Sequence, residues 1–468
     1  MAVDRSSAGR PDERGAIPKY LAIANDLAQA IGIGQYANGD RLPPQRQLAA
    51  QQGVTIARAY AALERRGLVV ARVGDGTYVS CGEPEFAHRT PIDLAHNVPL
   101  TAQSDVDALR QALTALGSDA QVMREMLDYQ PELGHKRHRE AGARWLRRLA
   151  TTGDSNRVMV TNGVQHALAF VLRIFARPGD VILTENLSYH GIIPLAQEFR
   201  LQIVGVDTDD QGLLPDALDR AASTYKARLL YCMPTLQTPV GSTMFIARRD
   251  AIARVVRRRR LLLIEDCVHV MAHRAPLPAL STLVPDQSFL LASFSKVVAA
   301  GLRVGFLEAD PKWLNKFAAT MRADSFMVAP LGPEVVTRWL ESGRMEELIE
   351  AHRMLTTQRL TSALALMDRL ARRAGASLDF HSDPVFPFLW LRLAPPWKAV
   401  ALANTLRSKG VLVRTADHFR MGRNPAPQAL RISLNSPGSV KELQAGLTTV
   451  LQTVFQSAPA GGIGSERE

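Results

Sequence analysis

Between residues 157 and 310, short apolar runs alternate with amphipathic stretches. The runs are VMVTN, VILTE, QIVGV, RLLYCMP, LLLIED, FLLASFS and VGFLE; QHALAFVLRIFA and IARRDAIARVVRRR lie among the segments between them. Runs apolar at nearly every position predict strands buried on both faces. Their alternation with helical patterns predicts a mostly parallel sheet covered on both sides. The N-terminal region has a different texture. Tyr20, Ile23, Leu27 and Ile31 recur at helical spacing and predict a first helix. The turn signal Asn38-Gly39-Asp40 follows. Pro43 and Pro44 open a second short helix over QRQLAAQQ, which Gly53 ends. Thr55 can cap a third helix, with Ile56, Tyr60 and Leu63 on one side and an end near Gly67. Two strand-like runs then flank Gly74-Asp75-Gly76, a hairpin signal.

Three helices and a hairpin within residues 17–80 make a winged helix-turn-helix pattern. Residues 1–16 are polar and predict a disordered start, and residues 81–92 (CGEPEFAHRTPI) read as a linker. Residues 93–455 form the second domain, with a large part over about 130–320 and a smaller α+β part over about 330–455. The tail, 456–468, reads as disordered. The predicted fold class is therefore an N-terminal winged helix domain plus an α/β domain with a mostly parallel sheet.

Length and composition fit this division. A chain of 468 residues is too long for one ordinary domain, and 46% hydrophobic residues supply a large core. The formal net charge of +11 raises the expectation of a polyanionic partner, although a solvated basic surface also explains it. Cys81, Cys232 and Cys267 have no metal-ligand spacing, so no metal site is expected. So sparse a set of cysteines fits a reducing compartment. No run of 18 apolar residues occurs, which predicts a soluble cytoplasmic protein without membrane contact.

The N-terminal module carries a net charge of +3 over residues 17–80. Arg58 and Arg65 are seven residues apart and share a helix face opposite the apolar side, as a recognition helix requires. Arg46, at a helix start, and Arg72, on the wing, can contact phosphates. A small helical domain with a solvated basic face is the plainer alternative. The order of signals in DRLPPQRQLAAQQGV…ARAYAALERRGLVVARVGDGTYV resembles the GntR-type winged helix domain over its whole length, and so implies DNA binding through Arg46, Thr55, Arg58, Arg65 and Arg72. That family usually has about three more residues before the Ala-Tyr of the recognition helix. The missing length, nearly one turn, lies at the end that meets base edges, which weakens the expectation of base reading more than that of phosphate binding.

The strongest chemical signal is LLASFSKVVAAGLRVGFL. Two apolar strands bracket Ser293, Ser295 and Lys296, and Arg303 follows seven residues after the lysine. A lysine at a strand end can form a Schiff base with an aldehyde cofactor when its setting lowers its pKa. The two hydroxyls and the guanidinium suit a phosphate. Asp266 ends the run LLLIED and can hold a pyridinium nitrogen protonated; a capping acid is the plainer alternative. Gly163 precedes a helix whose first amides, Val164 and Gln165, can bind a phosphate. Tyr189 offers a flat ring for stacking.

From about residue 93 to 455 these motifs resemble fold type I aminotransferases, and with the N-terminal module the chain resembles the MocR-type members of the GntR regulators. The resemblance implies pyridoxal 5'-phosphate as cofactor, with Lys296 as the internal aldimine lysine and Asp266 on the pyridine nitrogen. It also implies Gly163, Val164, Gln165, Ser293, Ser295 and Arg303 at the phosphate and Tyr189 on the ring. Arg431 would grip a substrate carboxylate. A homodimer is implied too, with Tyr129 reaching toward the partner's cofactor. Two positions depart from the family: Thr238 replaces an asparagine that meets the cofactor's phenolic oxygen, and Val268 and His269 stand where a tyrosine often does. His269 either donates to the same oxygen or is a packed histidine. Three functions follow. One is a regulator that senses an amino compound by external aldimine formation at Lys296. The second is an aminotransferase with a vestigial N-terminal module, and the third a structural dimer on a decayed site. The altered donors make efficient transamination less expected than cofactor capture.

Overall fold

The computed structural model describes residues 19–32, 35–36, 40–43, 57–65, 68–72, 76–79, 91–422 and 424–456. The chain divides into two units, residues 1–90 and 91–468.

In the first unit, helices Lys19–Gly32 and Ala57–Arg65 pack with a hairpin of β1 (Val69–Arg72) and β2 (Gly76–Val79). The two strands pair antiparallel, Val69 opposite Val79 and Arg72 opposite Gly76. The expected apolar stripes meet here. Leu27 and Ile31 from the first helix bury against Tyr60 and Leu63 from the other, together with Leu42, Val69 and Val79. The Tyr60 hydroxyl donates to the Pro43 carbonyl at 2.6 Å, and burial pushes its pKa up to about 12. The expected short helix QRQLAAQQ and the cap Thr55 lie outside the described residues, as do residues 1–16 and 457–468, while Gln456, expected in the tail, ends a helix.

Among the described residues the second unit opens with β3 (Ile92–Asp93), whose first residue is the last of the segment expected to be linker. Its main sheet uses β4 (Val158–Thr161), β5 (Val181–Glu185) and β6 (Gln202–Val206); a small hairpin, β7 (Thr208–Asp209) with β8 (Gly212–Leu213), follows. The sheet continues with β9 (Leu229–Cys232), β10 (Leu262–Asp266), β11 (Ser288–Ser293) and β12 (Gly305–Ala309). The order is β4-β12-β11-β10-β9-β5-β6. Each of the seven falls on one of the apolar runs, because strands covered on both faces carry apolar side chains on both. Only β12 runs against its neighbours. That reversal brings the start of β12 to the same sheet edge as the ends of the parallel strands.

The smaller part contains β13 (Asp379–His381), β14 (Phe388–Arg392), β15 (Val411–Leu412), β16 (Arg414–Thr415) and β17 (Ala429–Ser433). Four of them form a sheet in the order β13-β14-β17-β16, while β15 pairs in parallel with β3. The helix Arg344–Ala374 packs along the helix Val440–Gln456. Its ends suit its dipole: Glu346 and Glu347 in the first turn, Arg372 and Arg373 in the last, and Gly375 in the left-handed conformation as the stop. No helix among the described residues is long and apolar enough to cross a membrane.

Candidate active site

In an open α/β sheet the loops beyond the carboxyl ends of the strands form the natural crevice. Here they carry the predicted residues: Gly163 after β4, Tyr189 after β5, Thr238 after β9, Asp266 at the end of β10, and Ser293 through Lys296 after β11. Arg303 stands just before β12, at the same edge.

Asp266 shows how strand alternation sorts two adjacent acids. Glu265 faces buried structure, accepting from the amides of Leu280 and Ser281 at 3.0 and 2.6 Å, with Arg249 nearby at 3.8 Å. Asp266 faces the other way. It accepts from the Tyr231 hydroxyl at 2.8 Å and the Val268 amide at 3.0 Å. Burial raises its pKa to about 6 against the pull of those two bonds.

Lys296 Nζ donates to the Asn97 carbonyl at 2.7 Å. Burial, then the charges of Arg431 and Arg303, lower its pKa to about 8, so the neutral amine is far more abundant near physiological pH than in an ordinary lysine. His269 is fully buried, with its ring edge-on to Phe386 and its Nε2 3.4 Å from the Asn97 amide. Burial and the charges of Lys296 and Arg431 push its pKa down to about 3, which keeps the imidazole neutral. It is thus both packed and next to the lysine. The Thr238 hydroxyl is buried without a hydrogen-bond partner.

At the other end, Gly163 adopts φ +81 and begins the helix Val164–Phe175. A Cβ there would lie 2.8 Å from Arg303 Nη2, so the glycine serves both the backbone angle and the approach of the guanidinium. Arg303 donates to the Asn162 carbonyl at 3.2 Å and approaches the Ser295 hydroxyl at 3.4 Å. The Ser295 amide lies 3.4 Å from the Ser293 hydroxyl. The first amides of a helix have no partner within it, so Val164 and Gln165 offer two donors beside two hydroxyls and a cation. Gln165 Nε2 holds the Gly191 carbonyl at 2.9 Å, behind the half-buried Tyr189.

Arg431, on β17, is buried between Phe388 and Phe419, its guanidinium 4.1 and 4.7 Å from their ring centroids. It donates to the Ala95 carbonyl at 2.6 Å, while its Nε has no partner. Burial and the neighbouring Arg414 lower its pKa to about 9.

The segment presenting Ala95 and Asn97 is held by Asp93, whose carboxylate accepts from the amides of Ala95 and His96 at 2.7 and 3.2 Å. Neither Asn97 nor Tyr231 was expected from the sequence. Tyr231 sits in an apolar strand run, where a tyrosine reads as core. Tyr129 is not brought to this site by its own chain. It is 81% exposed and lies 6.0 Å from the ring of Phe326. In the first unit Arg58 is exposed on its helix. Arg46 lies outside the described residues, as do the side chains of Arg65 and Arg72.

Residues 89–450 match the family of class I and II aminotransferases. The chain belongs to that family. Residues 19–79 match bacterial regulatory proteins of the gntR family. An uncharacterised HTH-type transcriptional regulator, YdeF of Bacillus subtilis, is 27% identical over 92% of this chain and 93% of its own. A 2-aminoadipate transaminase of Thermus thermophilus is 29% identical over 58% of this chain and 69% of its own. Among solved structures, a kynurenine aminotransferase of Pyrococcus horikoshii in complex with PMP superposes with TM-score 0.72 at 21% identity, covering 80% of this chain and 93% of that one.

Pyridoxal 5'-phosphate is the cofactor of this aminotransferase family. The residues present fit it. A lysine of lowered pKa, a buried acid, an orphaned buried hydroxyl and a glycine-opened helix start next to an arginine are the groups an aldehyde-bearing pyridine phosphate needs.

Proposed function

We propose that this protein is a MocR-type transcription regulator that holds pyridoxal 5'-phosphate and responds to a small amino compound. The observation carrying it is the joining, in one chain, of a gntR-family match to a class I and II aminotransferase match, with an HTH-type regulator aligned over nearly the full length. The winged helix module comprises residues 17–80, the connection 81–92, and the cofactor unit 93–455.

Within the cofactor unit Lys296 is the attachment point and Asp266 the partner of the ring nitrogen. Gly163, Val164, Gln165, Ser293, Ser295 and Arg303 hold the phosphate. Tyr189 stacks on the ring, and Thr238 and His269 face the phenolic oxygen. When bound, the cofactor supplies an electrophilic carbon that any primary amine can compete for with Lys296. The chain's own groups then set the outcome. Asp266 holds a proton on the ring nitrogen, Arg431 orients a carboxylate, and neutral His269 adds no charge next to the lysine. Competition for that carbon gives the two ligand states a regulator requires.

A homodimer is supported by an exposed apolar surface. Leu127, Tyr129 and Phe326 are 87, 81 and 62% exposed, more than a monomer's surface favours, and Tyr129 would serve the partner's site. A cytoplasmic location follows from a DNA-binding role.

An aminotransferase with a vestigial module is the second reading, favoured by the complete set of Lys296, Asp266 and Arg431. Two measurements on the purified protein decide. One is protection of a DNA fragment carrying its own upstream region, with and without amino compounds. The other is keto-acid production from amino acids and 2-oxoglutarate. Ligand-dependent protection with little turnover is expected. Rapid turnover with no protection of any fragment overturns the regulator reading.

A further inference from the structure

We propose that His190, His418 and Arg414 form a second anion subsite beside Arg431, so that the amino compound this unit takes is a dicarboxylic amino acid. The proposal deepens the ligand-responsive reading above and rests on it for the placement of the amino group at Lys296.

Arg414 and Arg431 are register partners on β16 and β17, which puts both side chains on one face of the sheet. Like charges directly opposite one another are destabilising. Burial and the charge of Arg414 already lower the Arg431 pKa. Arg414 nevertheless has no ion pair or hydrogen bond with any described side chain. Two histidines complete the cluster. The His190 ring packs on that of His418 with centroids 4.3 Å apart, and both lie against Phe419, at 6.0 and 5.1 Å, the ring that also flanks Arg431. The two segments are tied together, since the Ser188 amide donates to the Phe419 carbonyl at 2.9 Å and Leu187 bridges to Arg420.

Partial burial and the surrounding cations hold both imidazoles neutral, at about 4. Around His190 these are Arg431, Arg414 and Lys296; around His418 they are Arg414 and Arg431, and the two histidines disfavour each other's charging. A neutral imidazole still donates one N–H. The structure thus concentrates an unpaired guanidinium and two N–H donors next to a second guanidinium; among the described residues Asp93 is the carboxylate whose charge favours Arg431, and it forms no ion pair with it. One ligand carboxylate occupies the fork of Arg431. That leaves Arg414 and the histidines, which a monocarboxylic amino acid cannot use and a second carboxylate can. His190 keeps more than a third of its surface open to solvent, so a ligand can reach the cluster.

The test is calorimetric titration of the full-length protein, as purified with its cofactor, using L-aspartate and L-glutamate against L-asparagine and L-glutamine. At least one acid should bind tenfold or more tightly than its amide. Arg414→Gln should reduce that preference to within twofold while leaving the amide's affinity within threefold, and Arg414→Lys should restore part of it. Repeating the titration in two buffers of different ionisation enthalpy should show protons taken up with the acid and not with the amide, as the histidines charge against the second carboxylate. Equal affinity for acid and amide, or a preference that survives Arg414→Gln in a variant with an unchanged melting curve, overturns the subsite. Absorbance separates the two levels. A band near ~420 nm without any preference for the acids defeats only the subsite. A preference in a protein that never shows the band upholds the subsite and defeats the cofactor reading.

Discussion

Tyr231 donates its hydroxyl to Asp266 at 2.8 Å, and neither side chain is more than 2% exposed. A hydrogen bond to a buried charge contributes about 1.5–3 kcal/mol. Tyr231→Phe should therefore push the Asp266 pKa above about 6 and weaken pyridoxal phosphate binding at pH 7 roughly tenfold. Asp266→Asn should weaken it further, roughly 100-fold, because the ring nitrogen loses its counter-charge. Fluorescence titration of the cofactor-free protein measures both. Unchanged affinity in Asp266→Asn would remove that residue from the site.

Lys296 must be neutral to attack an aldehyde. With a pKa near 8, its capture of pyridoxal phosphate should speed up with pH and level off above about 9. An ordinary lysine would still be accelerating at pH 10. Stopped-flow absorbance near ~420 nm follows the reaction, and Lys296→Ala should give no band.

Gly163→Ala and Gly179→Ala make a matched pair. Both glycines have positive φ, at +81 and +90, so each alanine should cost about 1 kcal/mol of stability. Only at Gly163 does the added Cβ meet Arg303, whereas nothing lies within 4 Å at Gly179. Cofactor affinity should fall roughly tenfold or more for the first and stay constant for the second, measured by dialysis alongside urea unfolding.

Four histidines, His138, His190, His269 and His418, have pKa values lowered to between about 3 and about 4 in the folded protein. The unfolded chain binds more protons below pH 6.5, so stability is present above that pH and lost as pH falls toward 4. Asp266, Glu185 and Glu308, whose pKa values burial raises, work in the opposite direction over part of the window, while His166 and His273, lowered by burial, add to the loss. His269 alone should contribute a slope of about 1.4 kcal/mol per pH unit. Urea unfolding between pH 7.5 and 4.5 should show the loss, and His269→Gln should flatten it.

In the first unit Arg58 is exposed on the helix Ala57–Arg65. If it contacts a phosphate, Arg58→Ala should weaken binding to all DNA fragments alike and lower the salt slope of log K by about 1. A loss confined to one sequence would make it a base reader.

The large sheet was legible because a strand covered on both faces has an apolar residue at nearly every position, and each of VMVTN through VGFLE became a strand. Lys296 and Asp266 were legible because chemistry at strand ends leaves polar residues at the edge of an apolar run. Asn97 was not, since its carbonyl meets a lysine 199 positions away and any residue type supplies a carbonyl. Tyr231 was hidden by its own strand, where a ring without a visible partner counts as core. Arg414, His190 and His418 were missed for a related reason. Each is unremarkable locally, and only the pairing of β16 with β17 and the bridge from Leu187 to Arg420 gather them. The strand β3 was not legible because two residues have no periodicity to detect.

The Ala95 carbonyl, held by Arg431 at 2.6 Å, acts as a resident competitor. A carboxylate entering there would not fill an empty socket but exchange one acceptor for another, and its affinity would be the difference between the two. A neutral ligand gains little from such an exchange, while a carboxylate gains the excess of a charged acceptor over a neutral one. The displaced carbonyl lies two residues beyond β3, where the chain enters the second unit. The same short stretch that opens the second unit thus supplies the acceptor that a carboxylate at Arg431 would have to replace.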